Sequence, residues 1–152
     1  MELCLLEDSL EQINLNMNKI FTFDTVDELM SFLKKKSRNC LLCEICALIG
    51  FEENKFIYID MPNKSKLPNM FFYMDPSDYL SATQKYKCFC IFHSHLNVGP
   101  EPSDFDIKTS ENSCLSFLIY SIMSEKFFLY EPQFKDYDVN ITKGLRNYLN
   151  EY

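Results

Sequence analysis

Residues 41–51, LLCEICALIGF, are apolar at almost every position. A strand with one face in water alternates apolar and polar residues, so a nearly continuous run suits a strand covered on both faces, near the middle of a sheet. Such a strand needs paired neighbours and a layer on each side, and the rest of the chain offers both. KFIYIDM (55–61), KCFCIFHSH (87–95), CLSFLIYSIM (114–123) and KFFLYEP (126–132) read as further strands, as do MELCLLED (1–8) and MNKIFTF (17–23) nearer the start. TVDELMSFLKKK (25–36) reads as a helix: Thr25 followed by Glu28 makes a capping box, and Val26, Leu29, Met30 and Leu33 fall on one face. MDPSDYLSATQKY reads as a second helix, with Asp75 as N-cap and Pro76 in the first helical position. A third helix starts at Ser103, and ITKGLRNYLNEY forms a short amphipathic tail. The expected class is α+β: a mixed, mainly antiparallel sheet flanked by helices, in one domain over residues 1–152 without repeat or linker.

Composition removes several classes of function. Hydrophobic residues make up 47% of the 152, enough for one packed core, and the net charge is −7. A nucleic-acid binder normally carries a basic face, so partners among proteins or small molecules are expected instead. The seven cysteines sit in apolar runs, where cysteine serves as a small buried hydrophobe. MELCLLEDSLEQ carries acids where a secretory signal has positive charge, and no apolar run is long enough to span a bilayer. These features suggest a reduced, cytoplasmic protein with no membrane partner.

The two histidines of the chain stand together, in IFHSHLNVGPEPSDFDI (91–107). At i and i+2 on a strand, His93 and His95 project from the same face. They could be a hydrogen-bonded pair at a strand end, and Ser103 and Asp106 could simply cap the helix that follows. Taken together the residues suggest more. A catalytic zinc site takes three nitrogen or oxygen ligands and leaves a position for water, and two imidazoles with the Asp106 carboxylate would supply three. Such a site also needs a base that is not a ligand. Glu44 is the candidate, a carboxylate within the apolar strand that either faces solvent at the strand end or is buried for a reason.

The spacing H-S-H, seven residues, S, two residues, D resembles the signature of the JAMM metalloprotease family, also called JAB or MPN-plus. E-I-C-A-L-I-G from Glu44 to Gly50 is similar to the strand context of that family's upstream glutamate, and FFYMDPSDYLSA resembles the segment before its metal strand. The resemblance covers roughly residues 20 to 130. It implies a JAB/MPN-type domain, related in fold to cytidine deaminases. It further implies one zinc ion per chain held by His93, His95 and Asp106, with water in the fourth position. Glu44 would accept the proton of that water and pass it to the leaving amine, and Ser103 would donate a hydrogen bond to the oxyanion. The implied substrate is a ubiquitin-like protein, released from a conjugate or trimmed at its C-terminus. The implied partners are conjugation enzymes of the same operon, including antiphage operons. Leu96 stands where the family usually has proline, and Ala47 where it has glycine. These departures bear on loop shape more than on chemistry. IKTSENS is too short to hold the large insertion of linkage-specific deubiquitinases.

Two rival functions share the fold: a DNA-repair-associated relative, to whose motif P-S-x-x-D-I is close, and a non-catalytic scaffold domain. Ser94, between the histidines, points to the opposite face and is assigned no chemistry. Cys40, Cys43 and Cys46 have an iron–sulfur-like spacing but no fourth cysteine at the ferredoxin distance, and on a strand they would face opposite ways. No phosphate-binding loop is readable, and Lys34–Lys36 suit the C-terminal end of a helix.

Overall fold

The computed structural model describes residues 19–151. Six strands form one sheet in the order β1-β3-β2-β4-β5-β6. They are β1 (Ile20–Phe23), β2 (Cys46–Glu52), β3 (Lys55–Met61), β4 (Cys88–His95), β5 (Ser116–Ser121) and β6 (Lys126–Tyr130). Four helices accompany them among the described residues: α1 (Val26–Arg38), α2 (Pro76–Lys85), α3 (Asp104–Ser113) and α4 (Val139–Glu151). Every strand pair is antiparallel except β4 with β5, whose parallel pairing is bridged by the crossover that contains α3. The class is therefore α+β with a mixed sheet, as the sequence suggests. The strand expected over residues 1–8 lies outside the described residues.

The run read as central is central. β2 lies between β3 and β4, and residues 46–50 are buried on both faces. Ala47 and Ile49 face one layer, where they meet Leu29, Met30 and Leu33 of α1 and Leu145 of α4. Cys46 and Leu48 face the other, with Ile57 and Ile59 of β3, Ile91 of β4 and Ala82 of α2. The period of two along each strand thus sorts the side chains into two cores, one per face. β2 and β3 are joined by the two-residue turn Glu53–Asn54, both with positive φ, the geometry that matches strand twist in a tight hairpin. Gly50 is required where β2 shifts register against β4: a Cβ there would stand 2.8 Å from the Lys87 carbonyl oxygen.

Local signals place the helix starts. Asp75 caps α2 through the N–H groups of Ser77 and Asp78, and Pro76 is its first residue. Thr25 caps α1 by accepting from the Glu28 N–H at 3.2 Å. The reciprocal half of the expected capping box is displaced by one residue: the Glu28 carboxylate accepts from Asp24 N–H at 3.1 Å, not from Thr25. The tail and the segment from Ser103 both fold as helices. No helix among the described residues is long and apolar enough to cross a membrane.

The strand expected over residues 41–51 begins only at Cys46, so Glu44 lies before β2 rather than within it. The cause is across the sheet. Ladder pairing with β4 starts at Cys46 opposite His93. One residue further, the Ser94 side chain takes over: its Oγ accepts from the Ile45 N–H at 2.9 Å while its own N–H donates to the Ile45 carbonyl at 3.0 Å. A side chain standing in for a ladder carbonyl satisfies the backbone and releases the chain from the strand.

Candidate metal centre

His93 and His95 end β4 on the face shared with Ile91, and α3 crosses that face. Ser103 is the N-cap of α3. Its Oγ accepts from the Asp106 N–H at 3.1 Å, and the Asp106 Oδ2 accepts from the Ser103 N–H at 2.9 Å, a complete capping box. The capping role does not exhaust Asp106, since a carboxylate oxygen has more than one lone pair. The same Oδ2 lies 3.4 Å from His93 Nε2 and 3.7 Å from His95 Nε2, and the two Nε2 atoms are 3.2 Å apart. All three residues are buried.

Those separations fit a metal ion. Ligands about 2.0–2.1 Å from a tetrahedral zinc stand about 3.3–3.4 Å from one another. The tautomers fit as well. His95 Nδ1 lies 2.7 Å from the Gly99 carbonyl, to which it donates, so its Nε2 is left as a lone pair aimed at the cluster. The loop supplying that carbonyl is held by Ser121, whose hydroxyl donates to the Val98 carbonyl at 2.6 Å. His93 Nδ1 is buried without a partner among the described residues, and the ring lies against Phe72 with centroids 4.4 Å apart. Burial pushes the His93 pKa down to about 3 against the pull of Asp106, so the ring is neutral at ordinary pH, as a ligand must be. For His95 burial acts downward too, but the Asp106 carboxylate beside it, the Gly99 carbonyl and the charge of Glu44 outweigh it and raise the pKa above its usual value. Asp106 is held below the carboxylate range because its bonds with Ser103 and the two imidazoles beside it outweigh its burial. Among the described residues, His93, His95 and Asp106 form a group able to hold a metal ion.

Glu44 lies on the irregular segment that precedes β2, close enough to His95 and Asp106 to feel their charges. It is 4% exposed. Burial pushes its pKa up to about 8; His95 opposes this and the Asp106 charge adds to it, so the two carboxylates and the His95 imidazole act on one another. Its backbone is pinned at three points. The Glu44 N–H donates to the Pro68 carbonyl at 2.7 Å, the Glu44 carbonyl accepts from Asn63 Nδ2 at 2.9 Å, and the next residue is held by Ser94.

Two of these supports were invisible as site residues in the sequence. Ser94 does face away from the histidines, as period two requires, yet from there it fixes the entry of the Glu44 segment. Asn63 is a hub. Its Nδ2 also donates to the Phe71 carbonyl at 3.0 Å, and its Oδ1 accepts from the Ser65 and Tyr73 N–H groups at 3.0 and 3.1 Å. It ties the 63–73 stretch, with Leu67, Met70, Phe71 and Tyr73 exposed, to Glu44. A lone Asn after a strand is a turn signal in sequence and nothing more.

The cysteines also differ from expectation. Cys40 and Cys43 lie on the irregular segment, not a strand, so the alternation of faces does not separate them, and both line one cavity with Glu44.

A family model described as prokaryotic homologs of the JAB domain matches residues 27–131. No curated protein matches the chain. Among solved structures, the solution structure of protein DSY2949 from Desulfitobacterium hafniense is 21% identical, over 76% of this chain and 94% of that one, with a TM-score of 0.49.

Proposed function

Because the chain belongs to the family of prokaryotic JAB-domain homologs, we propose that it is a zinc-dependent peptidase or isopeptidase that cuts a ubiquitin-like protein from its conjugate or trims its C-terminal extension. The observation that carries this reading is the buried, triply anchored Glu44, close enough to the His93–His95–Asp106 group to feel the charges of His95 and Asp106. A purely structural domain has no use for a carboxyl group held at that cost.

Zinc held by His93, His95 and Asp106 would supply a Lewis acid that brings the pKa of water to about 7. The chain's own groups do the rest. Glu44, with its proton affinity raised toward neutrality, takes a proton from water and returns it to the departing amine. The pinned backbone keeps its carboxyl in one place through both transfers. Ser103 Oγ already accepts the Asp106 N–H, so its own hydroxyl proton is free to be donated to the oxyanion that develops on the scissile carbonyl. His95, oriented by Gly99, and His93, packed on Phe72, stay neutral and fixed, which lowers the reorganisation needed during turnover.

The test compares zinc-loaded wild type with Glu44→Gln on a ubiquitin-like fusion carrying a C-terminal extension. Cleavage by the wild type alone, with one zinc per chain in both, is the expected result. Equal cleavage by both removes Glu44 from the chemistry, and zinc binding without cleavage by either leaves the scaffold reading.

A further inference from the structure

We infer that Cys40 and Cys43 form a dithiol site that closes into an intrachain disulfide by exchange with a low-molecular-weight disulfide, and that closure fastens the Glu44 segment to the end of α1. The pair has C-x-x-C spacing, Cys40-Leu41-Leu42-Cys43. Cys40 follows Asn39, the C-cap of α1, and Cys43 directly precedes Glu44. Both thiols are partly exposed and free, and they line a cavity of about 310 Å3 together with Glu44, Asp60 and Asn63. A small disulfide can therefore reach them.

The two sulfurs are not equivalent. Burial, with the Cys40 thiol acting in the same direction, raises the Cys43 thiol to about 11, so Cys43 keeps its proton. Cys40 is the attacking sulfur. Its thiolate attacks one sulfur of the small disulfide, the S–S bond breaks, and one small thiol leaves. Cys43 then gives its proton to solvent and attacks the Cys40 sulfur of the mixed disulfide, releasing the second small thiol. Two protein thiols are oxidised and one small disulfide is reduced to two thiols. Cys46 is a poor competitor for Cys43: it is buried in the core and its thiol donates to the Met61 carbonyl at 3.4 Å.

Both ends of the pair are held while the middle is not. On one side the Cys40 N–H donates to the Ser37 carbonyl at 3.2 Å; on the other Glu44 and Ile45 carry the three bonds described above. Between them Leu41 and Leu42 are 65% and 86% exposed. A four-residue covalent ring across this stretch limits its opening, and with it the opening of the backbone at Glu44. None of this chemistry needs the ion or a peptide substrate.

The test equilibrates the full chain in glutathione mixtures from reduced to largely oxidised. After an acid quench and alkylation of free thiols, the cysteine peptides are read by mass spectrometry. The expected product is a Cys40–Cys43 disulfide formed in one two-electron transition, with Cys46 and Cys90 still alkylated. Amide exchange at Glu44 and Ile45 then slows about tenfold in the oxidised chain. The Cys43→Ser variant gives only a mixed disulfide at Cys40, with exchange unchanged. The inference is overturned if Cys40 and Cys43 both remain alkylated throughout, if Cys43 pairs with Cys46, or if exchange is equal in the two states.

Discussion

Replacing Glu44 by Gln should stabilise the metal-free protein, and by an amount that depends on pH. Gln has nearly the shape of the protonated carboxyl group but never carries the charge. In the folded chain burial lifts the Glu44 pKa from its ordinary 4.5 to about 8. The gap, 8 minus 4.5, is about 3.5 pH units, worth about 5 kcal/mol at 1.36 kcal/mol per unit. Water reaching the carboxylate from the cleft lowers the real figure, so about 2–5 kcal/mol is expected. Since the folded-state value is the higher one, the folded chain binds the extra proton. The contribution of Glu44 is then fully favourable below pH 4.5 and is lost as pH rises through about 8. Glu44→Gln should therefore match the wild type to within about 1 kcal/mol near pH 5 and exceed it by about 2–5 kcal/mol near pH 9, or about 5–15 °C in Tm. Urea unfolding in chelator at the two pH values reads this directly. With the cation bound the advantage should shrink, because a positive charge beside the carboxylate offsets its desolvation. The reasoning fails if the difference between the two proteins is the same at both pH values, or if Gln is the less stable at pH 9; either would mean that the ionised carboxylate is well solvated or paired.

In the Glu44→Gln protein, which has no carboxyl proton to release, metal affinity should fall by about tenfold per pH unit below the raised pKa of His95, with one proton displaced per ion, because His93 is already neutral and Asp106 already ionised there; titration calorimetry in two buffers counts the proton, and a count of two would contradict the burial argument for His93. Ser94→Ala leaves the Ile45 N–H without its acceptor, which should cost about 1–3 kcal/mol and lower turnover while the zinc content stays at one. Asn63→Ala removes the hub between Glu44 and the 63–73 stretch and should cost about 2–3 kcal/mol, with amide exchange accelerating at Glu44, Ser65 and Tyr73 and not at the core of β5. Ser103→Ala removes an N-cap, about 1 kcal/mol of stability, and if the hydroxyl also serves the oxyanion, kcat should drop by far more than the loss of the cap explains; a kcat within twofold of wild type would confine Ser103 to capping.

The sequence by itself determined most of the described elements and which residues could hold a metal ion. KFIYIDM is β3 to the residue because alternation and a two-residue turn are both local. Thr25, Asp75 and Ser103 cap helices because a cap is decided within about three residues. His93 and His95 share a face because period two leaves no other choice, and Asp106 returns to them because Ser103 and Asp106 fix the start of α3 between them. Tertiary structure decided what lay across longer separations. LLCEICALIGF is apolar on both sides of Glu44, so the pattern does not mark where the strand begins; Ser94, 49 residues from Ile45, ends the ladder and places Glu44 outside β2. Asn63 reaches Glu44 from 19 residues away through a side chain whose sequence context says only turn. That Cys40 and Cys43 line one cavity follows from the same release of the chain before β2, since a continuous strand would have sent residues three apart to opposite faces. Local pattern sets which groups exist and which way they face. The hydrogen bonds that close over distant parts of the chain set where the acid and the thiols stand relative to the histidines.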